Sequence, residues 1–173
     1  MPTLYSVGHS TRTADEFVEL LTGAGVRRLA DVRKIPASRR HPQFGAEALR
    51  AQTAQHGIEY RHLPALGGLR RPVTDSPNAG WKHAAFRGYA DYMRTPAFDA
   101  GLESLLEFAG ESVTAFMCAE ALWWRCHRRL LADALVARGL TVRHLLSATE
   151  APEHTLTPFA RVVEGRLVYP GLF

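Results

Sequence analysis

The sequence has little cysteine and almost no lysine, and it has no long apolar run. Its two cysteines, Cys118 and Cys126, exclude a disulfide-rich secreted scaffold, and their spacing is not a standard zinc pattern. Because no run of 18 apolar residues occurs, we predict no membrane-spanning helix. The first residues lack the basic and apolar regions of a signal peptide, so we expect a cytoplasmic protein.

The glycine-rich motifs of common nucleotide-binding folds are also absent. The chain contains neither G-x-G-x-x-G nor G-K-[ST], so dinucleotide binding and a P-loop have no support. Arginine is abundant instead: the formal net charge is +4, and only Lys34 and Lys82 among 21 basic side chains are lysine. A GC-rich genome would explain this, but the planar arginine fork also suits phosphate and carboxylate. Clusters in predicted loops and helix starts favour an anion site; they are Arg33, Arg39 and Arg40, then Arg70 and Arg71, then Arg125, Arg128 and Arg129.

Short apolar segments alternate with amphipathic ones along the chain. This alternation predicts an α/β fold, a single Rossmann-like three-layer domain over residues 1–173 with a mainly parallel sheet of about five strands. Apolar runs predict the strands at residues 4–7, 26–32, 58–63, 113–117 and 141–146. A hairpin at a sheet edge is predicted for residues 161–163 and 166–168 about Gly165.

Helix signals lie between these strands. Thr13 and Glu16 form a capping-box pattern at the start of the first helix, and further helices are predicted at 45–55, 86–94, 97–109 and up to Gly139. The long irregular stretch 64–82 carries Arg70, Arg71 and Trp81, and we predict a lid or substrate loop there.

The segment 113–135 is the centre of the chemistry that we predict. A buried strand ends at Cys118 and leads to a helix past Glu120, Cys126, His127 and Arg128. A thiol facing a helix N-terminus has a lowered pKa and attracts anions, while Glu120 and His127 can move protons. Each residue also has a structural interpretation: a small core residue, a cap, an ion-pair partner or a solvated charge. The Cys-to-Arg spacing does not match a phosphatase loop.

Two other strand ends carry polar groups. His9 and Ser10 follow the first strand, where they would bind phosphate oxygens or only cap a helix, while Asp31 and Arg33 would serve a site or only pair with each other. If the first strand lies beside the strand 113–117, these ends flank one crevice. The pair Trp123 and Trp124 would stack on a base or pack in the core. A metal site of Cys118, Cys126 and His127 is disfavoured, because the last two are adjacent and point in different directions.

Several short motifs occur in one order over residues 4–146. They are Val7-Gly8-His9-Ser10; Asp31-Val32-Arg33 with Pro36 and Ser38-Arg39; Pro42 and Phe44; Leu66-Gly67-Gly68; Gly88-Tyr89-Ala90-Asp91-Tyr92-Met93; and Met117-Cys118-Ala119-Glu120 with Cys126-His127-Arg128. Together they resemble the bacterial and archaeal family DUF488, a domain of unknown function. The resemblance implies a Rossmann-like α/β domain and the positions of the site, without an established reaction.

From these observations we predict an enzyme that binds an anionic, phosphate-bearing substrate, such as a nucleotide or a nucleic-acid end, at the strand C-termini. It would be a hydrolase or transferase without a cofactor; the sequence leaves its oligomeric state open. The alternatives are a non-catalytic nucleic-acid-binding protein and a thiol redox or metal module. The predicted catalytic residues are Cys118, Glu120 and His127, and the predicted substrate-binding residues are His9, Ser10, Asp31, Arg33, Ser38, Arg39, Cys126 and Arg128.

Overall fold

A computed structural model describes residues 3–171, and its centre is a five-stranded parallel sheet. The strands lie in the order β3-β2-β4-β1-β5. This confirms the predicted α/β fold and puts β4 between β1 and β2, so three strand C-termini meet at the middle of one sheet edge. The strand bounds are β1 (Thr3–Gly8), β2 (Arg28–Asp31), β3 (Glu59–His62), β4 (Thr114–Cys118) and β5 (Thr141–His144).

Helices cover both faces of the sheet. The predicted capping box of α1 is present, because Glu16 N–H donates to the Thr13 side chain while Thr13 N–H donates to the Glu16 carboxylate. None of the helices in residues 3–171 has both the length and the apolar character needed to cross a bilayer. The helix bounds are α1 (Ala14–Gly23), α2 (Ala46–Ala54), α3 (Ala84–Tyr92), α4 (Pro96–Ala109) and α5 (Arg128–Ala137), with 3₁₀ turns at Pro42–Phe44, Pro64–Leu66 and Trp123–Arg125.

Strand side chains alternate between two apolar cores, one on each face. Phe116 of β4 points into the larger core, which α3, α4 and α5 cover. Its neighbours Ala115 and Met117 point into the smaller core, under α1 and α2. The central strand is therefore buried on both faces, as expected of a parallel sheet between helices.

Most of the predicted lid, residues 64–82, is an anchored loop. The Asp91 carboxylate accepts hydrogen bonds from Val73 N–H (2.9 Å), Ser76 O–H (2.6 Å) and Asn78 Nδ2–H (2.7 Å). Trp81 is buried among aromatic rings of the larger core, so it packs in the fold and does not face a ligand.

The predicted C-terminal hairpin is confirmed, but it stands apart from the main sheet. Its strands β6 (Arg161–Val163) and β7 (Arg166–Val168) pair antiparallel as a separate two-stranded sheet. Glu164 and Gly165 both have positive φ in the turn, as a tight two-residue hairpin turn requires.

Candidate functional site

A cavity of about 410 Å³ lies at the C-terminal ends of β1, β2 and β4. We call it the thiol pocket, because both cysteines line it. Side chains from three separate segments meet here, as the strand order requires. The predicted site residues that line it are His9, Arg33, Ser38, Cys118, Glu120, Cys126 and His127.

A second, shallower cavity of about 470 Å³ adjoins the thiol pocket. The two share His9, Ser38, Ala119 and Glu120, so they form one continuous cleft. We call the second cavity the arginine end. It brings the predicted residues Ser10 and Arg39 to the cleft, together with Thr11, Arg40 and His41, which were not among the predicted site residues.

The two thiols touch. Cys118 ends β4, Cys126 lies two residues before α5, and their Sγ atoms are 2.9 Å apart. Arg128 holds the pair: its Nε donates to Cys118 Sγ over 2.9 Å, and its backbone N–H donates to Cys126 Sγ over 3.5 Å. A buried guanidinium and a helix N-terminus therefore stabilise a negative charge on this pair.

Of the two thiols, Cys126 has the lower pKa. Burial would raise the pKa of the Cys126 thiol, but the hydrogen bond from Cys118 and the contacts with Arg128 lower this pKa to about 7. Burial, followed by the interaction with Cys126, raises the pKa of Cys118 well above its usual value. We expected the low-pKa thiol at the strand end; instead the pKa of Cys118 is raised and that of Cys126 is lowered, so Cys118 is the donor in the contact between the sulfurs when Cys126 is ionised.

His127 presents an acceptor nitrogen to the Cys126 sulfur, so it can accept the proton when Cys126 is a thiol. Its Nε2 lies 2.8 Å from the Val32 carbonyl, which can only accept, so Nε2 carries the proton. Nδ1 is then an acceptor, and it lies 3.4 Å from Cys126 Sγ. Burial lowers the pKa of His127, so the ring is neutral and takes a proton only transiently. Gly68 packs against it: a Cβ there would lie 3.2 Å from Nδ1.

Two polar atoms beside the thiols have no partner. Arg33 donates from Nε and Nη2 to Asp31 and from Nη2 to the Phe44 carbonyl, but its Nη1 is buried without a hydrogen bond. His9 stacks on Phe44 with ring centroids 4.2 Å apart and donates from Nδ1 to Ser10 O, while its Nε2 is buried without a partner. Buried polar atoms are nearly always paired, so these two indicate a site for a ligand or an ordered water.

Two of the predicted substrate-binding residues lie behind the cavity walls. Asp31 is fully buried, and its carboxylate accepts hydrogen bonds from Arg33 and from the Tyr60 hydroxyl, whose oxygen is 2.5 Å away. Arg128 is also buried, and its remaining N–H groups donate to Ser6 Oγ and Glu120 O. The geometry thus makes Asp31 a support for Arg33, and Arg128 a support for the thiols.

Glu120 is on the rim of the cleft. Its side chain is exposed and accepts a hydrogen bond from Leu122 N–H over 3.2 Å. The carboxylate can face a bound substrate, but it does not contact the thiols. Its role as a general acid or base stays a prediction.

Sequence reasoning missed the apolar wall of the thiol pocket. Ile35 and Leu69 are 65% and 75% exposed, and both line the cavity with Phe86 and Tyr89. Leu69 has φ 62°, a left-handed conformation that is costly for leucine. The signal was the Gly67-Gly68 pair: a Cβ on Gly67 would lie 2.6 Å from the Lys34 backbone, so only glycine lets the two loops meet.

A buried polar network behind Arg128 was also missed. Arg128 Nη1 lies 2.6 Å from Ser6 Oγ, which lies 2.9 Å from His144 Nδ1. His144 Nε2 contacts His154 Nδ1 at 2.8 Å, and His154 Nε2 contacts Asp133 at 2.7 Å. Asp133 on the apolar face of α5 was the available signal, since a lone buried carboxylate requires partners. The Trp123 ring stacks on the His144 ring with centroids 3.9 Å apart, so Trp123 packs within the fold, whereas Trp124 is exposed.

The metal alternative finds no ligand set in the part of the chain that the structure describes: no group of three or more His, Cys, Asp or Glu is arranged to hold an ion.

Comparison with known proteins yields one match. No curated protein and no solved structure matches the chain significantly. One family model matches residues 13–135, which include β2, β4, both cysteines and most of α5. This span is well over half of the 173 residues, and it confirms the resemblance drawn from the motifs. The chain belongs to the family described as domain of unknown function DUF488.

Proposed function

We propose that the protein is a thiol-dependent hydrolase or transferase that acts on an anionic, phosphate-bearing substrate, with Cys126 as its nucleophile. One observation carries the proposal: Cys126 is held between Arg128 and Cys118 at the wall of a cavity that opens toward unpaired arginines. Cys126 is only 7% exposed but lines the cavity, and reactive cysteines lie in electropositive surroundings of this kind.

The chemistry follows from the positions of the proton acceptors. Where Cys126 is still a thiol, His127 Nδ1 receives its proton. The sulfur attacks an electrophilic atom of the substrate, and a bond to sulfur forms as the bond to the leaving group breaks. The leaving group departs with the bonding electrons and takes the proton from His127. Water or a second substrate then displaces sulfur and regenerates the thiolate.

The arginine end supports an anionic substrate. Arg39 and Arg40 are exposed, and neither forms an ion pair within residues 3–171. Unpaired guanidinium groups bind phosphate in a bidentate manner and draw anions toward the cleft.

The pH dependence of iodoacetamide alkylation, located by peptide mass spectrometry, tests the nucleophile. We expect Cys126 to react with an apparent pKa of about 7. The Cys118→Ala variant should react more slowly at pH 7, because it removes the thiol whose hydrogen bond lowers the pKa of Cys126. An ordinary thiol pKa of roughly 8.5 at Cys126 would contradict the proposal.

Turnover tests the reaction itself. Across a panel of phosphate esters and nucleotides, an active substrate should lose turnover in Cys126→Ser and keep part of it in Cys118→Ser. Inorganic pyrophosphate should protect Cys126 from alkylation, and an Arg39→Gln, Arg40→Gln double variant should lose that protection. Turnover that survives in Cys126→Ser would refute the assignment.

The 2.9 Å contact between the sulfurs favours a second candidate, thiol–disulfide exchange. Here Cys126 attacks a disulfide such as oxidised glutathione, one glutathione thiolate leaves, and Cys118 then displaces the second to close the Cys118–Cys126 bond. This reaction needs both cysteines, so Cys118→Ser would stop it at the mixed disulfide while leaving the hydrolase or transferase reaction.

A further inference from the structure

We infer that His9 and Arg33 form a hydroxyl-binding subsite in the cleft, and that the ligand class is a ribose phosphate bearing an apolar or aromatic group, as in a nucleotide. The inference rests on the proposed function, since it names the substrate class of the same cleft. Its starting point is that the residues His9 and Arg33 line the thiol pocket with side chains only 2% and 7% exposed. In each of them one polar atom, His9 Nε2 and Arg33 Nη1, is buried without a hydrogen-bond partner.

The two atoms have opposite hydrogen-bonding character. His9 donates from Nδ1 to the Ser10 carbonyl over 2.9 Å, so its Nε2 is a bare acceptor. Burial lowers the pKa of His9, which keeps the ring neutral at pH 7. Arg33 Nη1 can only donate. A ligand group that satisfies both must accept one hydrogen bond and donate another, which a hydroxyl does with a single oxygen.

Charge distinguishes a hydroxyl from a phosphate at this position. The Arg33 guanidinium is already neutralised by Asp31, whose oxygens accept from Nε at 2.9 Å and from Nη2 at 2.7 Å. A phosphate dianion would face both the Asp31 charge and the lone pair of His9 Nε2. A neutral hydroxyl meets no such repulsion. The anion that we had assigned to Arg33 therefore belongs at Arg39 and Arg40.

The order of surfaces along the cleft indicates which other chemical groups the ligand carries. Exposed Ile35 and Leu69 line the thiol pocket with Phe86 and offer an apolar wall. His9 is shared by both cavities, and Arg39 and Arg40 line the other end. Apolar wall, hydroxyl subsite and cationic end follow one another as base, ribose and phosphate do in a nucleoside 5′-monophosphate.

Calorimetric titration of the full chain tests this directly. The ligands are the four ribonucleoside 5′-monophosphates, each compared with its 2′,3′-dideoxy analogue. We expect at least one ribonucleotide to bind about tenfold more tightly than its dideoxy analogue, the effect of one good hydrogen bond. His9→Phe keeps the stack on Phe44 but removes the acceptor, and it should abolish the difference. The matched control, Arg39→Gln with Arg40→Gln, should weaken both ligands equally and preserve it.

Equal affinity for ribo and dideoxy ligands, or no binding of either, would overturn the subsite. This result is independent of the proposed nucleophile, which is judged by alkylation of Cys126 without any ligand. A ribo preference beside an ordinary Cys126 pKa would support the subsite and refute the nucleophile. A further arm identifies the source of the ribose phosphate: a 5′-phosphorylated diribonucleotide that binds more tightly than the monomer indicates the end of an RNA strand, and weaker binding indicates a free nucleotide.

Discussion

Two polar clusters, one at the cleft and one in the buried network behind Arg128, differ in how their hydrogen bonds are satisfied. On the cleft side, His9 Nε2 and Arg33 Nη1 have no partner. On the other side, the buried network from Ser6 to Asp133 is fully paired. The residue types are alike, with histidine at the centre of each. A satisfied buried cluster stabilises a fold, whereas an unsatisfied one beside a cavity indicates a ligand.

The direction of every hydrogen bond in the buried network follows from Asp133. A carboxylate only accepts, so His154 donates from Nε2 and its Nδ1 accepts from His144 Nε2–H. His144 Nδ1 must then accept from the Ser6 hydroxyl, which leaves Ser6 Oγ to accept from Arg128 Nη1–H. The network thus fixes the guanidinium that stabilises the Cys126 thiolate.

The largest difference in stability should appear between one variant in the buried network, Asp133→Ala, and one at the cleft, His9→Phe. Asp133→Ala leaves the donors of His154, Thr157 and Tyr169 without an acceptor, and it should lower the free energy of unfolding by about 3–5 kcal/mol. His9→Phe should change it by less than about 1 kcal/mol, because Nε2 has no partner to lose and the stack on Phe44 remains. Denaturant unfolding at pH 7.5 measures both. Similar losses of unfolding free energy in the two variants would mean that the cleft cluster stabilises the fold as much as the buried network does.

Acid should weaken the fold through the buried histidines. Burial, followed by electrostatic interaction with His154 and with Arg128, lowers the pKa of His144 to about 3. The unfolded chain binds this proton near pH 6.5, so stability is retained above that pH and falls by about 1.4 kcal/mol per unit below it, down to about pH 3. We expect a loss of about 2 kcal/mol between pH 7 and pH 5.

His9 and His127, whose pKa values burial also lowers, should steepen this fall. Unfolding curves at several pH values measure the slope. His144→Gln cannot titrate, so it should start less stable but show a shallower slope than the parent chain. An unchanged slope would place the acid sensitivity on the cleft side of Arg128.

Arg128 joins the buried network to the two thiols, so its removal should change the chemistry of the cleft. In Arg128→Met the pKa of Cys126 should rise by about one unit or more, because the positive charge beside the thiol pair is gone. Alkylation by iodoacetamide at pH 7 should then slow by about fivefold or more. Arg129→Met is the matched control, since Arg129 contacts Thr157 and Trp81 and not the thiols. Ser6→Ala, a milder change, should shift the pKa in the same direction.

Local patterns were sufficient to predict the fold, and they picked out seven of the residues that line the thiol pocket, whose role as a site stays a prediction. Alternating apolar runs located the strands, and the capping box located α1. The sequence could not show which thiol has the lower pKa, because that depends on the 2.9 Å contact between Cys118 and Cys126 and on the direction of the Arg128 side chain. Nor could it pair Asp133 with His154, since their contact joins α5 to a segment beyond β5.

The smallest effect concerns the strain at the cleft. Leu69 has φ 62° and is 75% exposed, so Leu69→Asn should stabilise the chain by about 0.5–1 kcal/mol, because asparagine tolerates this conformation better. The same change should weaken nucleotide binding, since it removes part of the apolar wall of the thiol pocket. Glu164→Asn is the matched control: Glu164 has φ 52° in the hairpin turn, far from the cleft residues in the chain, and should gain similar stability without a change in affinity. If Leu69→Asn binds nucleotide as tightly as the parent, the leucine is not kept in its strained conformation for a ligand.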